Sequence, residues 1–402
     1  MTDTARARRG ASASRRGLVR RWVRRGALGV GLVLIAAGGA GWAVYAKLDS
    51  NITPDKAAAA ELARYEKERP TSLVRDARNI LLIGSDSRAG EGNRRYGRDS
   101  GTERSDTAIL LHLSAGRRSA TAVSIPRDLM VDVPGCRRPD GRRSEPMFAM
   151  FNYAFQVGGS ACTVRTVERL TDIRVDHHVV VDFHGFKEMV DALDGVELCL
   201  TRPINDKAAK LRLPAGKVAL NGEQALGYVR ARKSLGDGSD TDRMKRQQRF
   251  LAALVQKVQS NDVLLNPVRL YPVLDAATSS LTTDPALASL RGLYELVRGV
   301  RDIPTERVQF LTVPRESYIY NANRDQLVEP EAERLFERLR VDAPVEVVNS
   351  PETSHGPRHP SPHRSSHYGD GKAGAERPGE HAGPTPPAPT FRGNTAAENP
   401  CE

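Results

Sequence analysis

The chain lacks the signatures of several common active sites. It has no GxxxxGK[ST] phosphate loop, no HExxH pair and no GxSxG elbow, so Walker-type, zincin and nucleophile-elbow chemistry fall away. Its 4 cysteines form no CxxC pair of the kind redox and zinc motifs use. No internal repeat is present. Large apolar residues nearly vanish from 351–402, which instead holds ten prolines and five of the 9 histidines. Such a segment cannot bury enough surface to fold alone. Residues 349–402 are therefore expected to be a disordered Pro/His-rich tail. Its histidines (355, 359, 363, 367 and 381) are read as solvated low complexity.

Mean hydropathy of −0.45 and 39% hydrophobic residues are low for one globule of 402 residues because both ends are biased. The formal net charge of +11 invites a nucleic-acid reading, but residues 1–25 hold nine arginines against one acid, Asp3, and so carry most of it. This basic arm has no helix-turn-helix pattern and no interleaved aromatics. Next comes an uncharged run of 21 residues, Gly26 to Ala46. As a helix it spans roughly 31 Å, about one bilayer core. Trp42 and Tyr45 stand at its far end, as interfacial aromatics do, and the arginines before it predict a cytoplasmic N-terminus and an exported remainder. A cleaved signal peptide ending at Val44-Tyr45-Ala46 is the competing reading, but the apolar run is longer than a signal core. Attraction of the arm to the membrane surface accounts for its charge.

An exported domain can form disulfides. Cys136 and Cys162 border one loop–helix segment and are the preferred pair, with Cys199 read equally well as a small buried apolar residue. The expected division is a basic arm (1–25), a transmembrane helix (26–46), a stalk and linker (47–76), a folded extracytoplasmic domain (77–348) and the tail. Asp55 to Glu68 reads as a short Ala-rich helix lifting the domain off the membrane. Strands are expected at 79–84, 107–114 and 121–125, the last two joined by a turn at Gly116-Arg117-Arg118. Residues 178–200 read as a strand–helix–strand unit. Helices are expected near 148–157, 162–170, 221–229, 242–258, 267–279, 285–300 and 331–339, with a late strand at 308–313.

Three kinds of segment carry chemistry. Asp86 ends the first strand and Asp106 opens the second, so neighbouring strands would bring two carboxylates together, as a magnesium site needs. Ile125-Pro126-Arg127-Asp128 closes the third strand, where the proline takes the chain out of the ladder. Arg230 and Arg232, followed by Arg243 and Gln247 on one helix face, add guanidiniums that match phosphate oxygens in a planar fork. If Val229 to Arg232 is extended, Arg230 and Arg232 share a face. Phe250 and Leu254 continue the Arg243–Gln247 stripe and would suit a greasy tail behind a phosphate head, although core packing explains them equally well. His177, His178 and His184 read as structural histidines.

Asn79-Ile-Leu-Leu-Ile-Gly-Ser-Asp86-Ser-Arg88, Arg104-Ser-Asp106-Thr, Ser124-Ile-Pro-Arg127-Asp128, Asn221-Gly-Glu-Gln-Ala-Leu226, Tyr228-Val-Arg230-Ala-Arg232 and Asp242-Arg243 to Gln248 stand in order. In this the chain resembles the LytR–CpsA–Psr family of cell-envelope proteins, well over about 77–260 and more loosely to 348. The resemblance implies a three-layer α/β/α domain with a central mixed sheet, held outside the membrane. It implies a phosphotransferase that moves a glycopolymer from a polyprenyl-pyrophosphate carrier onto peptidoglycan, forming a phosphodiester. Asp86 and Asp106 look like the ligands of Mg2+, with Mn2+ as its substitute. Arg127, Arg230, Arg232 and Arg243 look like the diphosphate clamp, and Arg88, Arg104 and Gln247 like further substrate contacts. The Arg88–Ser105 loop is longer than usual in the family, and Met130-Val131 stands where some members carry another arginine. The general base is open, with Asp128 one candidate. A polyprenyl-pyrophosphate hydrolase at the same site and a non-enzymatic membrane-bound regulator are the alternatives.

Overall fold

In the computed structural model, residues 7–85, 105–207, 209–231, 240–260, 267–349, 389–398 and 401 are described. Helix α1 (Ala7–Asn51) contains Leu28–Asn51, the one segment among them long and apolar enough to cross a membrane. Its C-terminal end is tied to the domain. Asn51 Nδ2 donates to Asp275 Oδ1 at 2.9 Å, and Asp49 Oδ1 accepts from the Leu290 backbone N–H at 2.8 Å.

The stretch expected as a stalk is instead part of the domain. Strand β1 (Thr53–Pro54) joins the central sheet, and helix α2 (Lys56–Arg64) packs on α3 (Asn152–Thr171). Leu48, Ile52, Ala58 and Leu62 are buried. Ala58 and Leu62 are four apart and share a helix face, but alanine makes that stripe faint in the sequence. Just beyond, Arg69 Nη2 donates to Glu168 Oε1 and to the Val175 carbonyl, both at 2.7 Å.

Among the described residues the core is one nine-stranded sheet. Its strands are β1, β2 (Arg78–Ser85), β3 (Ser105–Leu113), β4 (Ala120–Ile125), β7 (His177–Val181), β12 (Leu281–Thr283), β13 (Val308–Thr312), β16 (Glu346–Asn349) and β17 (Thr390–Thr395). They lie in the order β1-β12-β7-β2-β3-β4-β13-β17-β16. The expected hairpin joins β3 to β4, and its turn places Arg117 at positive φ. Successive residues of the central strands serve opposite faces, as strand geometry demands. Leu81, Ile83, Leu110, Val123 and Ile125 pack with α3 and the Glu329–Arg340 helix; Ile80, Ile109 and Ala122 pack with Ala252 of helix α6 (Asp240–Gln259). Helices thus cover both faces, giving the three layers that the resemblance implies.

Two expectations need correction. The chain after 348 is not wholly outside the fold, because β17 pairs with β13 and β16, and Phe391 and Ala396 are buried. Cys401 is joined to Cys199, so Cys199 is not a simple buried thiol, while Cys136–Cys162 pairs as expected. The prolines of 351–389 hid a short β-competent run, Thr390-Phe391-Arg392, that becomes a strand only between β13 and β16. The strand–helix–strand unit over residues 178–200 is present, with its second strand in another sheet. After β7 and helix α4 (Phe183–Ala192), strand β8 (Val196–Leu200) pairs with β11 (Gly216–Leu220) in a separate ribbon.

Within α3 the backbone breaks at Gly158–Gly159. A Cβ on Gly158 would sit 2.9 Å from the Arg137 carbonyl and 2.9 Å from Cys162 Cβ, so glycine is what lets the helix meet the Cys136–Cys162 bridge. The histidines have structural partners: His178 Nε2 meets Asp55 Oδ2 at 3.3 Å, His177 Nδ1 meets Asp284 Oδ1 at 3.3 Å, and His184 Nε2 meets Glu188 Oε1 at 3.0 Å.

Asp55 also caps α2 and accepts from Ser160. Burial works to raise its pKa, but the bonds from His178, Ser160 and the Ala58 N–H outweigh it and hold the carboxyl at about 2, against an ordinary 3.8. A carboxylate depressed in the folded state contributes stability above its unfolded pKa and loses it as pH falls through the folded value. Thermal unfolding of the detergent-solubilised full chain is expected to show falling Tm between pH 3.8 and about 2, and Asp55→Asn should flatten that fall. An identical pH profile in the variant would remove Asp55 from the account.

Candidate active site

Strands β2 and β4 both run antiparallel to β3, and β13 runs parallel to β4. The ends of β2, β4 and β13 and the start of β3 therefore meet at one edge of the sheet. Proline follows both β4 and β13, in Ile125-Pro126-Arg127-Asp128 and Val313-Pro314-Arg315-Glu316. Without an N–H the proline cannot continue the ladder, and the arginine after it is left at the sheet edge.

Arg127 lies between two carboxylates. Its Nη1 donates to Asp106 Oδ1 at 2.9 Å and its Nε to Asp128 Oδ2 at 3.3 Å. Ionised partners on both sides hold the guanidinium plane in place. All three side chains stay partly exposed, so the cluster opens outward.

Helices α5 (Gly222–Arg230) and α6 bring the other groups. A capping box starts α5, with Asn221 accepting from the Gln224 N–H and Gln224 reaching back to the Asn221 N–H. The helix runs through Arg230, so the extended geometry considered for Val229 to Arg232 is not adopted. Arg230 is exposed and stacks on Phe183, its Cζ 4.3 Å from the ring centroid. Arg243, in the first turns of α6, is buried and sends Nη2 toward the Asp106 carbonyl at 3.5 Å. One turn on, Gln247 donates to Thr107 Oγ1 at 3.1 Å and to the Val229 carbonyl at 3.3 Å. Gln248 donates to Ser124 Oγ at 3.2 Å and Thr312 Oγ1 at 3.1 Å. These amides fasten α6 across β3, β4 and β13. Arg246 donates to the Ala231 carbonyl, and burial lowers its pKa from the ordinary arginine value.

The lipid-facing role considered for the same stripe does not fit its burial. Phe250 is 1% exposed, packed against Phe186 at 5.3 Å between centroids, and Leu254 packs on the same cluster. Both serve a satellite core under α4 and α5, which is what continues the Arg243–Gln247 face inward.

The sheet edge thus gathers Asp106, Arg127, Asp128, Arg243 and Gln247, with Arg230 at the end of α5. Asp86, Arg88, Arg104 and Arg232 lie outside the described residues. The β2–β3 ladder ends at Ser85 opposite Ser105, one residue before each expected metal ligand. Among the described residues no group of three or more His, Cys, Asp or Glu side chains gathers for a metal ion.

Sequence reasoning missed two arginines on the hairpin of β14 (Arg315–Tyr318) and β15 (Asn321–Leu327). Arg324 Nη1 lies 3.5 Å from Asp128 Oδ1, and the Asp325 N–H donates to the Asp128 carbonyl at 3.1 Å. Arg315 is bonded to Asp325 and to Thr241 in the first turn of α6. The available signal was Val313-Pro314-Arg315-Glu316, which repeats the pattern ending β4.

Comparison with known proteins shows the family and the fold. The family described as LytR_cpsA_psr matches residues 47–340. The chain belongs to the LytR_cpsA_psr family. The match starts at residue 47, where the chain begins to pack on the domain. The chain is 38% identical over 229 residues to the probable cell wall biosynthesis protein LcpB of Corynebacterium glutamicum, covering 55% of this chain and 52% of LcpB. It thus spans about half the length of that relative. It is 29% identical to the polyisoprenyl-teichoic acid–peptidoglycan teichoic acid transferase TagT of Bacillus subtilis, over 78% of this chain and 94% of TagT. Among solved structures, TagT bound to LI-WTA aligns with a TM-score of 0.51 at 25% identity, over 68% of this chain and 96% of that one. A LytR-Csp2A-Psr enzyme from Actinomyces oris has the same fold, with a TM-score of 0.53 at 21% identity over 67% of this chain and 93% of that one.

A cluster of guanidiniums at an open edge should bind a polyanion. Losing one charge-assisted contact costs about 1.5–3 kcal/mol, roughly tenfold or more in affinity. Arg127→Ala is expected to weaken binding of inorganic pyrophosphate to the full chain by that factor in titration calorimetry. Unchanged affinity would show that Arg127 faces no anion.

Proposed function

We propose that this protein is a phosphotransferase that moves a glycopolymer from a polyprenyl-diphosphate carrier onto peptidoglycan. The observation that carries the reading is Arg127 set between Asp106 and Asp128 with Arg243 at the same sheet edge. The name of TagT, a relative over most of both chains, supports the substrate class. The chemistry is an in-line displacement. An acceptor hydroxyl oxygen forms a bond to the sugar-side phosphorus, and the bridging bond to the lipid phosphate breaks. The hydroxyl proton is lost and the lipid leaves as its monophosphate. Arg127, Arg243 and Arg230 hold non-bridging oxygens and take up the charge that grows there. Asp128, engaged by Arg127 and Arg324, orients both guanidiniums.

Asp106 suits a divalent cation, Mg2+ or Mn2+, because its carboxylate is partly exposed beside the arginines that would hold phosphate oxygens. Such a cation would neutralise the diphosphate and stabilise the departing lipid phosphate. Asp86 is proposed as the second ligand.

The site works outside the cell in this reading, with the apolar segment of α1 as membrane anchor. Arginines precede that segment, and two disulfides, Cys136–Cys162 and Cys199–Cys401, fit an oxidising compartment.

The test is to incubate the full chain in detergent with a polyprenyl-diphosphate-linked glycan, purified peptidoglycan and Mg2+, and to measure covalent attachment. Arg230→Ala is the informative variant because Arg230 is exposed; it is expected to cut transfer by roughly a hundredfold with Tm unchanged. Arg243 is buried, so its replacement risks the fold as well. Release of phosphorylated glycan with no attachment would convert the assignment to a hydrolase. Full activity in Arg230→Ala would remove it from the clamp.

A further inference from the structure

Aromatic residues make up only 5% of this chain, yet three of them stack at one place, two exposed and Tyr318 half-buried between them. Phe148 and Tyr318 lie 6.1 Å apart between ring centroids, and Tyr318 and Tyr320 lie 5.4 Å apart. Phe148 is 55% exposed, Tyr320 81% and Ile319 between the tyrosines 72%. The rings stand at the tip of the β14–β15 hairpin and on β6 (Met147–Met150), which pairs with β5 (Met130–Val133). Exposed aromatics held against one another and left uncovered by the described residues mark a recognition surface.

The patch is continuous with the clamp. Its hairpin reaches the sheet edge through Arg324 on Asp128 and through the Asp325 N–H on the Asp128 carbonyl. From Arg324 to Asn321, the partner of Tyr318, is three strand residues, about 10 Å. That is close to the length of one disaccharide. The two ends of the hairpin can therefore engage successive sugars of one chain.

We propose that this tip is the docking surface for the acceptor glycan, with pyranose C–H faces on the rings of Phe148, Tyr318 and Tyr320. The inference rests on the transferase reading and names the second substrate's seat. A glycan fits better than a lipid surface. Residues 317–323 carry no basic side chain, whereas attraction to anionic headgroups needs lysine or arginine. The polar neighbours are instead Glu316, Asn321, Asn323 and Asp132, all exposed. Carboxylates and amides beside aromatic faces are the groups that bond sugar hydroxyls.

The experiment is co-sedimentation of the detergent-solubilised full chain with peptidoglycan sacculi, alongside titration with chitotetraose. The Tyr318→Ala/Tyr320→Ala double variant is expected to bind sacculi about tenfold more weakly, with polyprenyl-diphosphate binding unchanged. Tyr320→Phe, which keeps the ring, should retain most binding. Undiminished sacculus binding in the double variant would overturn the proposal. A Tyr320→Trp reporter, in a background of Trp22→Phe and Trp42→Phe, separates the two surfaces. An emission shift with chitotetraose supports the glycan seat; a shift only in anionic-lipid nanodiscs would make the tip a membrane contact and end the proposal. Loss of donor binding in the wild type would instead strike at the transferase reading, leaving the sacculus result to decide the tip.

Discussion

Arginines gathered at one end of a sheet repel one another, and that repulsion is the constraint on this fold. The answer here is a set of interposed acids. Asp106 and Asp128 flank Arg127, Asp128 also meets Arg324, and Asp325 meets Arg315. Partly exposed pairs of this kind contribute little net stability. Their value is orientation: each guanidinium is held in a known plane at little cost while staying partly exposed.

That arrangement needs several chain segments to end at the same level. The antiparallel β2–β3–β4 meander and the parallel β4–β13 pair put them there, and Pro126 and Pro314 release the chain from the ladder at matching points. Helix α6 must then lie at a fixed height for Arg243 to reach the start of β3. Gln247 and Gln248 set that height by bonding side chains and a carbonyl on β3, β4, β13 and α5. The apolar continuation of the helix, through Phe250, seals a satellite core and keeps the polar end from sliding.

The domain is also closed at its margins. The end of α1 is bonded to Asp275 and Leu290, so the long apolar helix meets the body of the protein there. At the other margin β17 lies between β13 and β16 and Cys401 is bonded to Cys199.

Much of this was legible in the residues. The apolar runs of β2, β3 and β4, the turn between them and the Asn221 capping box are local patterns with local causes. The charged strand ends and the order of the motifs pointed to a phosphate site and to the family. Other features depended on distant partners. Ala58 and Leu62 look like a solvated alanine helix until α3 covers them. Thr390-Phe391-Arg392 is a strand only beside β13 and β16, and Cys199 is a disulfide only because Cys401 reaches it. Arg315 and Arg324 were passed over because a charged hairpin has no local mark of where it will fold. The sequence by itself thus determined the central strands and the main helices, and which side chains carry charge, because backbone propensity and hydrophobic period act over a few residues. Tertiary structure alone decided that Asp128 would be shared by Arg127 and Arg324, that Phe250 would be sealed away and that Tyr320 would be left in the open, because burial depends on what arrives from elsewhere in the chain.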